Sequence, residues 1–287
     1  MEGIIIKGIA GFYYVKANDK VYECKARGLF RKEGITPYVG DHVRLTLGEK
    51  DATVSEILHR KNAFIRPPVA NVDQFVVVAS VTKPEPNFSI IDRFLVMAEF
   101  YETEVVLCFN KVDLAKEERL QNLLEIYQPI YPVVLASGKT GQGIDELTGY
   151  LGGKTSALAG PSGVGKSSIL NRITQNDSAQ TGEIGDKSQR GKHTTRHVEL
   201  FEIGNGGYLF DTPGFTSFEI LEAEEDQLAD CYPEMLPYRG QCRYDNCRHL
   251  SEPSCAVREA LQKGKIHSSR YNSYLEQMKE IQSAKKY

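Results

Sequence analysis

The run Gly160-Pro161-Ser162-Gly163-Val164-Gly165-Lys166-Ser167 has the glycine spacing and terminal Lys-Ser of a loop that wraps phosphates. It follows a strand-like stretch and opens a helical one, the context this chemistry needs. Backbone N–H groups and the helix N-terminus would surround the β- and γ-phosphates of a nucleotide. Lys166 would neutralise their charge and the Ser167 hydroxyl would ligate Mg²⁺, with Ser168 completing the contact set. Downstream, Asp211-Thr212-Pro213-Gly214 closes another strand. An aspartate there can hold the Mg²⁺ shell, and the Gly214 N–H can sense the γ-phosphate.

Asn110-Lys111-Val112-Asp113 ends an apolar strand and suits base recognition. A carboxylate at Asp113 can accept from N1 and N2 of guanine, a donor pair that adenine lacks, so the wrong base leaves buried partners unmet. Ser137-Gly138-Lys139 follows a further strand and fits the loop that meets guanine O6. Each tripeptide or tetrapeptide alone would pass for a turn; with the phosphate loop they favour GTP over ATP.

The order is permuted. Base loop, second base loop, phosphate loop, a threonine switch at Thr194-Thr195 and Asp211–Gly214 follow one another, whereas a small GTPase starts with the phosphate loop. Thr195 is the better Mg²⁺ switch threonine, with Thr194 second. The residues after Gly214 are Phe215-Thr216-Ser217, so the water-orienting glutamine common at this place is missing. His193, beside the switch threonines, is the candidate to replace it; an exposed loop histidine is the competing reading.

Cys242-x4-Cys247-x-His249-x5-Cys255 supplies four soft ligands at short spacing, enough for a closed Cys₃His structural zinc site with no open position. Cys231, Cys24 and Cys108 read as buried thiols. His267 is an alternate ligand by position, against a surface residue before a helix.

These loops require alternating strands and helices. Apolar runs at 74–80, 104–109, 133–136 and 156–159 alternate with helical patterns at 90–100, 115–126, 143–151 and 166–173, which predicts a parallel sheet covered on both faces. A hairpin is expected around Gly204–Gly207 between strands at 198–203 and 208–210. Short strand-like runs at 3–9, 12–15, 20–24, 42–47 and 53–57 predict a small OB-like β barrel, although an SH3-like barrel would read much the same. Its Tyr13, Tyr14, Arg27, Phe30, Arg31 and Lys32 suit RNA. Arg66-Pro67-Pro68 reads as a linker, and 268–283 as an amphipathic helix.

The 287 residues carry a formal charge of −3, but not evenly. Residues 1–66 hold 12 Lys+Arg against 8 Asp+Glu, 67–238 hold 13 against 25, and 239–287 hold 10 against 5. Basic ends around an acidic middle are compatible with terminal modules that touch a polyanion. An ordinary composition of 41% hydrophobic and 25% charged residues excludes a wholly disordered chain, and no apolar run reaches membrane-spanning length.

Taken together, Asn110–Asp113, Gly160–Ser167, Gly191-Lys192-His193-Thr194-Thr195, Asp211–Gly214 and the Cys/His segment make the chain resemble the RsgA (YjeQ/YloQ) family of bacterial ribosome-associated GTPases, over essentially its whole length. The resemblance implies a late factor in small-ribosomal-subunit assembly whose GTP hydrolysis the subunit stimulates, and it favours His193 as a catalytic residue beside Lys166 and Thr195. The expected architecture is a circularly permuted P-loop α/β GTPase domain at 67–220, between an OB-like RNA-binding barrel at 1–66 and a zinc-binding helical module at 221–287. GTP and GDP, Mg²⁺ and one structural Zn²⁺ are the expected ligands; rRNA of the small subunit is the expected partner, with a monomeric, cytoplasmic, membrane-free protein. A nucleotide-gated RNA-binding chaperone, in which hydrolysis is incidental, is the alternative. A stand-alone ATPase is disfavoured by Asn110–Asp113.

Overall fold

The computed structural model describes residues 1–48, 51–65, 67–181, 198–204, 206–211 and 223–284. The chain divides into two compact units, one of Met1–Gln74, Ile144–Leu158 and Ser167–Phe215, the other of Phe75–Gly143, Ala159–Lys166 and Thr216–Tyr287.

The first unit begins with β1 (Glu2–Ile9), β2 (Phe12–Ala17), β3 (Lys20–Ala26), the short helix α1 (Gly28–Lys32), β4 (His42–Leu47) and β5 (Ala52–Ile57). β1 pairs antiparallel with β2 and β4, β2 with β3, and β4 with β5, while β3 and β5 run parallel. The ring closes in the order 1-2-3-5-4-1, an OB-like barrel. The turn between β2 and β3 uses Asn18 and Asp19 at φ 48° and 59°, the left-handed region these side chains tolerate and a tight hairpin needs. Ile5, Val15, Cys24, Val43, Leu45 and Val54 fill the interior. Alternation of inward and outward residues along short strands explains why one face reads apolar and the other charged.

Of the residues expected to suit RNA, Arg27 and Lys32 are exposed but Phe30 is buried among the core residues. Tyr13 and Tyr14 are half-buried, and the Tyr14 hydroxyl donates to Glu23 at 3.0 Å.

The prolines do not sit in an open linker. β6 (Ala63–Ile65) and β7 (Pro68–Ala70) form an antiparallel ribbon whose turn contains Pro67, with Pro68 as the first strand residue, where a missing N–H is tolerated. The preceding segment is tied to the barrel by a buried carboxylate. Arg60 reaches Asp41 from Nε at 2.7 Å and Nη2 at 2.8 Å, and stacks 4.5 Å over the Tyr38 ring.

This unit also holds α4 (Ile144–Leu151), β11 (Thr155–Ala159) as far as Leu158, α5 (Lys166–Thr181) from Ser167 on, β12 (Glu199–Ile203) and β13 (Gly207–Asp211). β12 and β13 form the expected hairpin; β13 runs parallel to β11, Ala157 opposite Phe210, and β12 joins β1 through Lys7 and Glu199. Asp211 therefore stands at the carboxyl end of β13, one residue past Phe210.

In the second unit, β8 (Gln74–Ser80), α2 (Phe88–Phe100), β9 (Glu104–Asn110), α3 (Glu117–Tyr127) and β10 (Val133–Ala136) alternate as the periodicity predicts. The strand order is β10-β9-β8, and β9 and β10 are parallel. Every residue of β8 is buried, which explains its unbroken apolar run. Asn87 caps α2 by accepting from the Ile90 N–H.

The C-terminal segment has α6 (Ala256–Gln262), which the periodicity did not reveal, and α7 (Ser268–Ala284). α7 lies against α2, and Val96 of α2 shares a buried cluster with Leu228, Tyr232, Met235, Val257, Tyr274 and Met278. Among the described residues, no helix is long and apolar enough to cross a membrane.

Candidate functional site

β11 delivers the chain to Gly160, and the phosphate loop ends at Lys166, where α5 begins. Two glycines are required by what lies against them. A Cβ on Gly160, at φ 135°, would stand 2.2 Å from the Val78 carbonyl oxygen, and one on Gly165, at φ 99°, would stand 2.2 Å from Asn110 Nδ2. The loop is thus built against β8 and the end of β9.

Asn110 is 2% exposed and knits the pieces together. Its Nδ2 donates to the Val164 carbonyl at 2.8 Å, and its Oδ1 accepts from the Gly138 N–H at 3.0 Å. Lys111, left-handed at φ 70°, donates from Nζ to the Gly163 carbonyl at 2.7 Å and also to the Lys83 carbonyl. Ser137 Oγ donates to Asp113 Oδ1 at 2.6 Å and accepts from the Thr140 N–H at 3.1 Å. The structure therefore brings Asn110, Lys111, Asp113, Ser137 and Gly138 together with the phosphate loop, and Asp113 remains exposed for a ligand. Lys139 is exposed on the same loop.

Lys166 folds back on the loop, donating to the carbonyls of Gly160 at 2.6 Å and Pro161 at 2.9 Å. Burial brings its ammonium down to about 8. A phosphate would restore the charge balance and hold the proton. Pro161, Ser162 and Gly163 lie on the rim, and Val164 is buried beneath. Ser167 and Ser168 are exposed at the start of α5, and Asp211 is exposed at the end of β13; these three belong to the first unit. An exposed hydroxyl and carboxylate are donors that Mg²⁺ accepts. His193, Thr194, Thr195, Gly214 and Phe215 lie outside the described residues.

Cys242, Cys247, His249 and Cys255 converge, their ligand atoms all within 4.8 Å of one another. His249 Nδ1 lies 3.6 Å from Cys242 Sγ, 3.5 Å from Cys247 Sγ and 3.3 Å from Cys255 Sγ; Cys242 and Cys255 sulfurs are 3.9 Å apart. A tetrahedral zinc ion sets sulfurs about 3.8 Å apart and sulfur to nitrogen about 3.5 Å apart, so the donor set fits one ion. Burial lowers His249 below its ordinary value, which favours the neutral ring a metal needs. His267 is not part of the cluster; its Nδ1 lies 2.8 Å from Ser269 Oγ in the first turn of α7. Cys24, Cys108 and Cys231 are buried, and burial pushes the Cys24 thiol up to about 11 and the Cys231 thiol up to about 12, away from nucleophilic thiolates.

One buried charge cluster left no sequence signal. Arg270, on α7, is wholly buried, with Nη1 2.6 Å from Asp92 Oδ1 and Nε 2.7 Å from Glu234 Oε1. Its guanidinium also lies over the rings of Tyr127, Tyr131 and Tyr232. Burial works against its charge, but Asp92 and Glu234 outweigh that and hold it well above the usual range. An arginine on the amphipathic pattern of 268–283 reads as a solvent-facing residue until the partner helix is known.

A phosphate loop after β11, base loops encoded upstream of it on β9 and β10, and a metal-binding segment downstream define a circularly permuted P-loop GTPase preceded by an OB-like barrel. The comparisons agree. The chain belongs to the RsgA GTPase family, whose GTPase pattern matches residues 57–221 and whose N-terminal domain pattern matches residues 2–54. It is 48% identical to the small ribosomal subunit biogenesis GTPase RsgA of Alkaliphilus metalliredigens, covering 100% of this chain and 99% of that protein. It is 46% identical to the protein of the same name from Caldanaerobacter subterraneus subsp. tengcongensis, covering 100% and 97%. Among solved structures, YjeQ from Thermotoga maritima superposes with a TM-score of 0.85 at 40% identity, over 98% of each chain. YloQ, described as a circularly permuted GTPase, gives 0.83 at 38%, over 99% of this chain and 95% of that one.

Proposed function

We propose that this GTPase acts in late maturation of the small ribosomal subunit, gripping its rRNA through the barrel at 1–66 and the module at 221–287 while the domain at 67–220 turns over GTP. What carries the reading is end-to-end similarity to proteins named small ribosomal subunit biogenesis GTPases, on a chain whose base and phosphate loops are joined through Asn110.

In this reading Asp113, with Asn110, Lys111 and the Ser137-Gly138-Lys139 loop, selects guanine. The amides of Gly160–Ser168 and the Lys166 ammonium hold the phosphates, and Gly214 reads the γ-phosphate. Ser167, Thr195 and Asp211 would hold Mg²⁺, which supplies charge neutralisation at the β- and γ-oxygens. His193 takes the water-orienting role left open by Phe215, so the free protein hydrolyses GTP slowly and the subunit accelerates it. Cys242, Cys247, His249 and Cys255 hold one structural zinc. The protein works as a cytoplasmic monomer.

Nucleotide state and subunit affinity are linked: if the GTP form binds the subunit more tightly than the GDP form, the subunit favours GTP by the same factor. The test is steady-state GTP hydrolysis with and without purified small subunits, together with subunit pull-down in a non-hydrolysable GTP analogue and in GDP. Stimulated turnover and analogue-dependent capture are expected, and His193→Ala should lower stimulated turnover while sparing capture. Analogue-dependent capture without stimulation would favour a nucleotide-gated chaperone instead. Equal capture in both nucleotides and no stimulation would remove the proposal.

A further inference from the structure

His249, the imidazole of the Cys₃His cluster, sits in the left-handed region at φ 58°, which few residues other than glycine adopt and which histidine tolerates better than most. The hydrogen bonds around this turn brace it from two sides. The Glu252 carboxylate folds back over the turn: Oε1 accepts from the Arg248 N–H at 2.9 Å, and Oε2 accepts from the N–H groups of Leu250 at 2.7 Å and Ser251 at 3.0 Å. The first two of these donors flank His249 on either side. On the carbonyl side, the Tyr271 hydroxyl donates to the His249 oxygen at 2.6 Å and the Tyr274 hydroxyl to the Arg248 oxygen at 2.6 Å.

We propose that Glu252 is a positioning residue for the metal centre: it gathers three backbone donors around the turn at His249 and so aims Nδ1 at the three cysteine sulfurs before any metal arrives. Glu252 contributes no ligand atom to the cluster. Its carboxylate spends its acceptor capacity on the turn, and a charged acceptor with three short backbone bonds is a strong fixture. Tyr271 and Tyr274, from successive turns of α7, clamp the same turn from the other side. Metal ligands are commonly oriented by such outer partners, and losing one weakens metal binding about 10–100-fold.

The inference rests on the zinc reading, and its test separates the two. Full-length wild type, Glu252→Ala, Glu252→Gln and Tyr271→Phe would be compared, with Glu259→Gln as a control for an exposed α6 carboxylate. Bound zinc is counted by elemental analysis, zinc affinity is read by competition with a chromogenic chelator, and the cobalt-substituted forms are examined by visible absorption. Glu252→Ala should weaken zinc about 10–100-fold, with Glu252→Gln between it and wild type. Tyr271→Phe should shift affinity the same way and Glu259→Gln should not. All variants should still reach one metal per chain at saturation, with a tetrahedral cobalt spectrum, which separates lost orientation from a lost ligand. Should Glu252→Ala fail to fold, Glu252→Gln decides. Glu252 variants that hold zinc as tightly as wild type would overturn this inference alone. A wild-type chain that binds no zinc would overturn the metal reading as well.

Discussion

Arg270 and Asp92 lie 178 residues apart in the chain, yet Nη1 of one is 2.6 Å from Oδ1 of the other and neither side chain is exposed. Asp92 also accepts from the Tyr127 hydroxyl at 2.9 Å, and Glu234 takes the other edge of the guanidinium. Helix α7 is thereby fastened to α2 of the GTPase fold by a buried charge. Removing Arg270 would strand Asp92 without its countercharge, so Arg270→Ala should cost about 3–5 kcal/mol. Denaturant unfolding measures this. Asp92→Asn combined with Arg270→Gln should cost less than the sum of the single changes, because Asp92 is then no longer left as a lone buried charge.

Lys166 gives the nucleotide site a pH dependence. Burial brings its ammonium down to about 8, and a bound phosphate would hold it charged, so nucleotide binding takes up a proton above that pH. Affinity for GDP should be flat below pH 7 and fall by about tenfold per pH unit above about 8, while the bound lysine keeps its proton. Calorimetry in buffers of different ionisation enthalpy reads the uptake directly. A flat profile to pH 9 would contradict the burial that lowers this lysine. Lys166→Ala should abolish the dependence and cripple hydrolysis.

Asn110 is a joint, not only a base contact. Asn110→Ala removes the tie from β9 to both the Val164 carbonyl and the Gly138 N–H, leaving buried groups unmatched at about 1–3 kcal/mol. GTP and GDP affinity should fall together, by roughly 5–150-fold, because the loop that holds both loses its support. Equilibrium binding of a fluorescent guanine nucleotide checks this; loss confined to GTP would point elsewhere.

Asp113 should set the base. Asp113→Asn keeps an acceptor for the base N1–H but puts a donor where guanine N2 needs an acceptor, and the 2-oxo group of xanthine nucleotides restores the match. A preference change of about 10²–10⁴-fold between GTP and XTP is expected in competition binding. Wild-type protein that binds ATP as tightly as GTP would refute the assignment of this loop.

The metal segment should not behave as an isolated finger. Cys247→Ser should lose zinc and, because Val96 of α2 shares the buried cluster with Tyr274 and Met278, also lower the thermal midpoint of the GTPase fold. Structural zinc contributes ~10 kcal/mol or more to folding a small site, so the loss should be large. Differential scanning calorimetry with and without chelator tests whether that stabilisation reaches α2.

The loops were legible in the sequence because their chemistry is local: Gly160–Ser167, Asn110–Asp113 and the Cys/His spacing each fit into a few residues, and backbone geometry dictates the glycines within them. The alternation of apolar runs and helical periods likewise marked the parallel strands and the five barrel strands. The ribbon at Pro67-Pro68 and the short α6 were not legible, since a three-residue strand or a seven-residue helix has too little periodicity to register. Asn110's second role needed the fold as well: only the meeting of β9 with the phosphate loop makes Gly165 a position where a Cβ would strike its amide. The same holds for burial of charge. Nothing local distinguishes Arg270 from a surface arginine. Its partner Asp92 is 178 residues away, and long-range packing alone decides that this side chain loses its water and must be satisfied by protein.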